Sequence, residues 1–326
     1  MVLQINSEKI EVIDVHVHPI DITLAEFIPP SEIVQTMDKA GVDKAVLLAI
    51  DCDEEDFDRF ISQEDLKAAV EEAITDGSLW FSRRYWLSMS LEDLRKLGKN
   101  ILRIIKTPNK KIFEYTKRYP ERFVGFGSVN PNKGEEYVKG KLREIKDYGF
   151  KGVKLLPTIQ FFNPKDEKMT QIYEFAEKEK LVMLIHTGCD PGPWELVTLS
   201  KNANPVYLDY VCENYPNLKV IAAHMGSYSA QFPGIWFDEM VRIVKKHENL
   251  YVDIAATFSE KNLKKAVKEV GAEKILYGSD YPVIGGYCDR NTGMINCVNW
   301  LKQVDLPPEA KRKIFGENAK SLLSLK

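Results

Sequence analysis

The chain has 326 residues, 44% hydrophobic and 29% charged, with 45 basic against 48 acidic side chains and a net charge of −3. That length can bury a large core without staples, and the near balance of charge offers no electropositive footprint for a phosphate backbone, which counts against nucleic acid as a partner. Five cysteines, Cys52, Cys189, Cys212, Cys288 and Cys297, form no CxxC pair and are odd in number, which counts against a secreted disulfide framework and a cysteine-rich zinc site.

The opening stretch, MVLQINSEKIEVIDVHVH, lacks the basic-then-apolar order of a signal peptide. No apolar run approaches the ~20 residues of a membrane span, so a cytoplasmic protein is expected. The first strand-like run, residues 11–17, leads into Asp14-Val-His16-Val-His18-Pro19. Alternate residues of a strand point to one side, so His16 and His18 would project together, where both could bind one cation. A second run at 44–50 is followed by an unusually long interval, 51–120. It opens acidic, passes through LWFSRRYW with Arg83 and Arg84, and ends in a helical pattern over 90–118. It reads as a helical insertion between the second and third strands, a lid or a dimer contact, rather than a second domain.

Further strand-like runs follow at 123–129, 152–156, 181–186, 218–224, 250–254 and 274–279, with helix-like stretches such as 133–147, 168–180 and 237–247 between them. Eight strands, each followed by a helical segment, point to an α/β chain folded as one (β/α)8 TIM barrel over 1–326. No GxGxxG or P-loop pattern occurs, which counts against an open nucleotide-binding sheet.

Four of the five histidines fall at the C-terminal ends of these runs, the face where such barrels carry their chemistry. His186 closes LVMLIH, a run too apolar to leave an imidazole unpartnered, and a metal would supply the partner. His224 closes LKVIAAH and could be a ligand or a catalytic acid/base. Asp280, in GSDYP, could bind a metal through one oxygen and take a proton from metal-bound water with the other, or cap the next turn. Lys154, in GVKLLP, could pair with a substrate carboxylate, be carboxylated and bridge two metals, or snorkel out of the barrel end. Arg83 and Arg84 are further candidates for gripping a carboxylate. His247, in KKHENL, is expected on a solvated surface.

The segments VIDVHVHP, RFVGFGSVNP, GFKGVKLLP, LIHTG, NLKVIAAHMG, KILYGSDYP and IFGENAKSLL run in this order from residue 12 to residue 323. Together they resemble the amidohydrolase superfamily, and within it the amidohydrolase-related group that includes aminocarboxymuconate semialdehyde decarboxylase. Only 51–120 carries no motif of that group. The resemblance implies a distorted barrel holding one divalent metal ion, most often zinc, on His16, His18, His186 and Asp280. It implies that His224 is a catalytic or substrate-polarising residue. Binuclear relatives carry a bridging carboxylated lysine on the fourth strand; the GVKLLP setting of Lys154 is closer to mononuclear members.

The first functional expectation is hydrolysis of a small amide, lactone or ester that also carries a carboxylate, with metal-activated water, Asp280 as general base and His224 orienting water or polarising substrate. The alternative is non-oxidative decarboxylation of a small carboxylic acid at the same metal, with Lys154, Arg83 and Arg84 as carboxylate partners. A non-catalytic binding barrel is a remote third, against which the complete ligand set counts. The expected partner is a small-molecule substrate; relatives often pair, so a homodimer through the insertion or the C-terminal helix is a further expectation.

Overall fold

Each apolar run of the sequence hydrogen-bonds to the next one along the chain. In the computed structural model, which describes residues 3–5, 8–75, 89–284 and 287–325, eight parallel strands form one sheet in sequential order. They are β1 Ile13–Val17, β2 Lys44–Leu48, β3 Phe123–Ser128, β4 Gly152–Leu155, β5 Val182–Ile185, β6 Val220–Ala222, β7 Leu250–Asp253 and β8 Ile275–Leu276. Backbone bonds close the first strand region against the last: Val15 N to Tyr277 O at 3.0 Å, Asp280 N to His16 O at 2.9 Å and His18 N to Tyr281 O at 2.8 Å. The result is a (β/α)8 barrel, as the alternation of runs predicts.

The barrel is filled, not hollow. Lys154 pairs in register with Ser128 and Leu184, and Gly152 with Phe126 and Val182. These positions face the barrel axis, where Phe126, Val182, Leu184, Ile221, Leu48 and Leu276 share one buried cluster. Both faces of each strand are thus covered, which is why the runs read as continuous apolar stretches rather than alternating ones. β6 and β8 are shorter than their apolar runs, because the chain turns out of the sheet before the polar residues. His224 and Asp280 both take left-handed backbone angles, with φ of 63° and 60°, a conformation that costs a non-glycine residue on the order of 1 kcal/mol and clusters at functional sites.

Between β1 and β2 lies α1 Pro30–Ala40. The long interval after β2 contains α2 Glu55–Phe60, α3 Gln63–Thr75, α4 Leu91–Ile105 and α5 Asn109–Arg118. The helical pattern over 90–118 is therefore two helices. They are separated at Thr107, which exchanges backbone bonds of 2.9 Å in both directions with Ile50, and at Pro108. α5 packs on β3 as an ordinary barrel helix, whereas α2, α3 and α4 build a small core of their own. Phe57, Leu66, Leu94, Leu102 and Ile105 meet Leu156 and Trp194 there, from loops on the C-terminal side of the barrel. Ser90 starts α4 with a full capping box on Asp93. Gly98, in the middle of α4, is required by packing: a Cβ there would stand 2.1 Å from the Phe57 ring.

The insertion is clamped to the barrel by charge. Asp51 accepts from Asn130 N at 2.8 Å, Lys133 Nζ at 2.8 Å and the Tyr137 hydroxyl at 2.9 Å, and Lys133 also reaches Asp53 at 2.7 Å. Six further helices, α6 Glu135–Asp147, α7 Thr170–Lys178, α8 Val206–Asn214, α9 Phe237–Val244, α10 Glu260–Val270 and α11 Gly293–Gln303, complete the main outer layer. Cys52, Cys189, Cys212 and Cys297 are buried free thiols. No helix among the described residues is long and apolar enough to cross a membrane.

Candidate active site

His16 is wholly buried, and its Nδ1 lies 2.9 Å from Asp253 Oδ2. A carboxylate can only accept here, so Nδ1 carries the hydrogen and Nε2 presents its lone pair to the cavity. That Nε2 is 3.2 Å from His18 Nε2, 3.4 Å from Asp280 Oδ1 and 3.3 Å from Lys154 Nζ, and His18 Nε2 is 3.5 Å from the same Asp280 oxygen. Asp14 braces this corner, its Oδ1 accepting from His16 N at 3.1 Å and Ser279 N at 3.0 Å. Gly278 permits the close approach of β1 and β8, since a Cβ there would stand 2.9 Å from that of His16.

His224 faces the same cavity from the turn after β6. Its Nδ1 lies 2.9 Å from Ala255 O and its backbone N–H donates to Asp253 Oδ1 at 2.8 Å. The Nδ1–H is therefore committed, and Nε2 is left as an acceptor. Its ring sits 4.8 Å from that of His16, 4.8 Å from that of His186 and 4.5 Å from that of Tyr228. His186 follows β5; its Nε2 lies 3.4 Å from Asp190 Oδ2, and both atoms are buried without a hydrogen bond.

Burial favours the neutral form of every group in this cluster. It holds His16, His18 and His186 well below the usual imidazole range. The His224 imidazole is lowered to about 4, burial outweighing the opposing pull of Asp253. Burial raises Asp280 well above the usual carboxylate range and Asp190 to about 7. Lys154 is lowered to about 8 by burial, against the attraction of Asp253, Asp280 and Asp190.

A cation resolves this frustration. His16, His18 and Asp280 offer three donor atoms spaced 3.2 to 3.5 Å apart, the spacing set by one ion with bonds of about 2.1 Å to imidazole and carboxylate. A second trio, His16, His224 and Asp253, also brings ligand atoms within 4.8 Å of one another, but there His16 Nδ1 is bonded to Asp253 and His224 Nδ1 faces Ala255 O. The first trio can hold a metal ion. His186 lies in the same cavity across the His224 ring, outside that trio.

His16, His18, Lys154, His186, His224 and Asp280 line one cavity of about 120 Å³. A larger cavity of about 480 Å³ adjoins it past Pro191 and Tyr228 but contains none of the histidines. Arg83 and Arg84 lie outside the described residues. Asp253, Asp190 and Tyr228 are site residues that sequence reasoning missed. Asp253 closes the apolar strand LYVD, the same signal that singles out Lys154, whereas Asp190 and Tyr228 sit in loops without a comparable mark.

A parallel-stranded barrel with a buried histidine and aspartate pocket at the C-terminal ends of its strands is the architecture of a barrel enzyme. A sequence model of the amidohydrolase family matches residues 13–325, and the chain belongs to that family, whose members are metal-dependent enzymes. Among curated proteins it is 25% identical over 209 residues to 2-amino-3-carboxymuconate-6-semialdehyde decarboxylase of Dictyostelium discoideum, a match that spans 53% of this chain and only 55% of that protein. It is 20% identical over 266 residues to gamma-resorcylate decarboxylase of Rhizobium radiobacter, covering 70% of this chain and 78% of the relative. Among solved structures, the manganese complex of 5-carboxyvanillate decarboxylase from Novosphingobium aromaticivorans superposes with a TM-score of 0.63 at 15% identity, over 97% of this chain and 96% of that one. At that identity the likeness shows the fold.

Proposed function

We propose that this enzyme is a metal-dependent, non-oxidative decarboxylase of a small carboxylic acid, with one divalent ion on His16, His18, His186 and Asp280. The carrying observation is Lys154. It is fully buried, its Nζ is 3.3 Å from His16 Nε2, and it is the one lysine or arginine among the described residues lining the cavity. A buried cation beside the donor atoms can pair with a substrate carboxylate. The curated relatives reported above are decarboxylases, which supports the same choice. Hydrolysis, the first expectation from sequence, therefore takes second place. Zinc suits the imidazole and carboxylate donors; manganese, the ion in the Novosphingobium structure, is the competing assignment.

The bound ion would supply Lewis-acid stabilisation of negative charge on a substrate oxygen. Lys154 pairs with the departing carboxylate and fixes its orientation. His224 Nε2 accepts a hydrogen bond from a hydroxyl or amine beside that carboxylate. The bond between carbon and carboxylate breaks, its electron pair stays on carbon, and carbon dioxide leaves. Asp280, facing His16 and His18 through Oδ1, relays a proton from water through its other oxygen to that carbon, and the hydroxide left is neutralised by solvent.

Two measurements test this. Elemental analysis of protein purified without chelator counts and names the ion. A panel of small aromatic and aliphatic carboxylic acids is then assayed for carbon dioxide release, beside a panel of amides, lactones and esters. One ion per chain with carbon dioxide release supports the reading. Cleavage in the second panel alone restores hydrolysis, and two ions per chain would make Lys154 a carboxylated bridge.

A further inference from the structure

The cavity lining is of two kinds, and five of its six isoleucines, all but Ile20, lie in or against the apolar cluster built by the insertion. One kind carries all the chemistry: the histidines, Lys154, Asp190, Asp280 and the Tyr228 ring. The other is aliphatic, and six isoleucines dominate it: Ile20 and Ile22 after β1, Ile50 after β2, Ile101 and Ile105 of α4, and Ile159 after β4. Among the described residues no serine, threonine, asparagine or glutamine lines the cavity. The adjoining larger cavity is of another kind. It is the more polar, with Ser229, Thr257, Ser259 and Asn262 in its lining, but none of these four lines the cavity that holds the histidines.

We propose that the helical insertion selects the substrate: α4 completes an aliphatic wall of the cavity that Lys154 also lines, so the acid accepted is one whose end remote from the carboxylate bears no polar group. The inference rests on the carboxylic-acid reading above. A hydroxyl or second carboxylate pointing at six isoleucines loses its water and gains no partner. A hydroxyl or amine next to the reacting carboxylate is served by His224 and the polar lining.

The test is calorimetric titration of the protein purified without chelator, using two probe series. The aromatic series is 2-hydroxybenzoate, 2,4-dihydroxybenzoate and 4-hydroxybenzene-1,3-dicarboxylate. The aliphatic pair is 2-hydroxy-3-methylbutanoate and 2,3-dihydroxy-3-methylbutanoate. In each series the member with the polar far end should bind at least about tenfold more weakly. Ile101→Asn puts an amide into the wall and should narrow or invert that ratio. Ile22→Asn makes the same test from a separate segment if the first variant unfolds. Equal or tighter binding of the polar-ended probes to the unaltered protein, an unchanged ratio in a folded variant, or no binding in either series overturns the inference. Binding is read without turnover, so an apolar preference with no carbon dioxide from any probe leaves the selection standing and removes the decarboxylase reading instead.

Discussion

Asp253 bridges two imidazole residues: its Oδ2 takes the Nδ1–H of His16 at 2.9 Å while its Oδ1 takes the backbone N–H of His224 at 2.8 Å. One carboxylate thereby sets the tautomer of the first and the position of the second. Asp253→Asn keeps the shape but can present only one acceptor oxygen, so one of the two contacts fails. Metal affinity should fall about 10- to 100-fold, as for other partners of ligating histidines, with little change in melting temperature. Competition against a chelator measures it; unchanged affinity would remove Asp253 from the metal assembly.

His16→Ala combined with His18→Ala should abolish metal binding and leave a folded barrel, because Phe126, Leu184 and Ile221 fill the interior independently of them. Elemental analysis and far-ultraviolet circular dichroism read the two effects separately. His224→Asn should retain the ion and lose most turnover. Loss of the ion in that variant would make His224 a ligand.

Lys154→Met should lower kcat/KM by about 100-fold or more, the effect of removing one partner of a desolvated charge pair. A lysine that grips the ground-state carboxylate should, on removal, raise KM as well as lower kcat. A variant with unaltered KM for the acid would show that the carboxylate binds elsewhere.

Gly98→Ala isolates the packing of the insertion. Alanine favours a helix interior by about 1 kcal/mol over glycine, yet the added methyl would meet Phe57 at 2.1 Å. Overpacking of this kind costs about 1–3 kcal/mol, so urea denaturation should show net destabilisation. A stabilised variant would mean that the Phe57 ring moves aside at little cost.

The clamp between insertion and barrel should weaken in acid. Burial pushes the Asp53 carboxyl up, but hydrogen bonds from Lys106 and Lys133 outweigh it and hold the group below its ordinary value. A depressed carboxylate contributes stability that is fully present above its unfolded pKa, about 4, and is lost as pH falls through the lower folded value. Lys133→Met should cost about 1–3 kcal/mol at neutral pH and shrink the acid-dependent part of the melting curve. An identical pH profile in that variant would contradict the pairing.

The parts of this molecule legible in the sequence are those marked by rarity or by period. Only five histidines occur, so four at strand ends stand out, and Lys154 is conspicuous inside an apolar run. Asp190 is lost among 48 acidic residues, and Asp253, although it closes the apolar strand LYVD, carries no local sign that it is aimed at His16. The eight strands emerge because both faces of each are covered. The break at Thr107 does not, since it depends on pairing with the distant Ile50. The surface expectation for His247 also gave way to a distant partner, as it is largely covered and bonds to Asp209.

The seam between the first and last strand regions has a consequence for how the enzyme is made. During synthesis the N-terminal portion emerges first, so His16 and His18 wait on nearly the whole remaining chain before Asp280 reaches them. Full coordination then belongs to the final act of assembly, when the ring shuts. An ion seated across that junction is a clasp on the finished ring, so how quickly the protein comes apart should depend on whether the clasp is fastened.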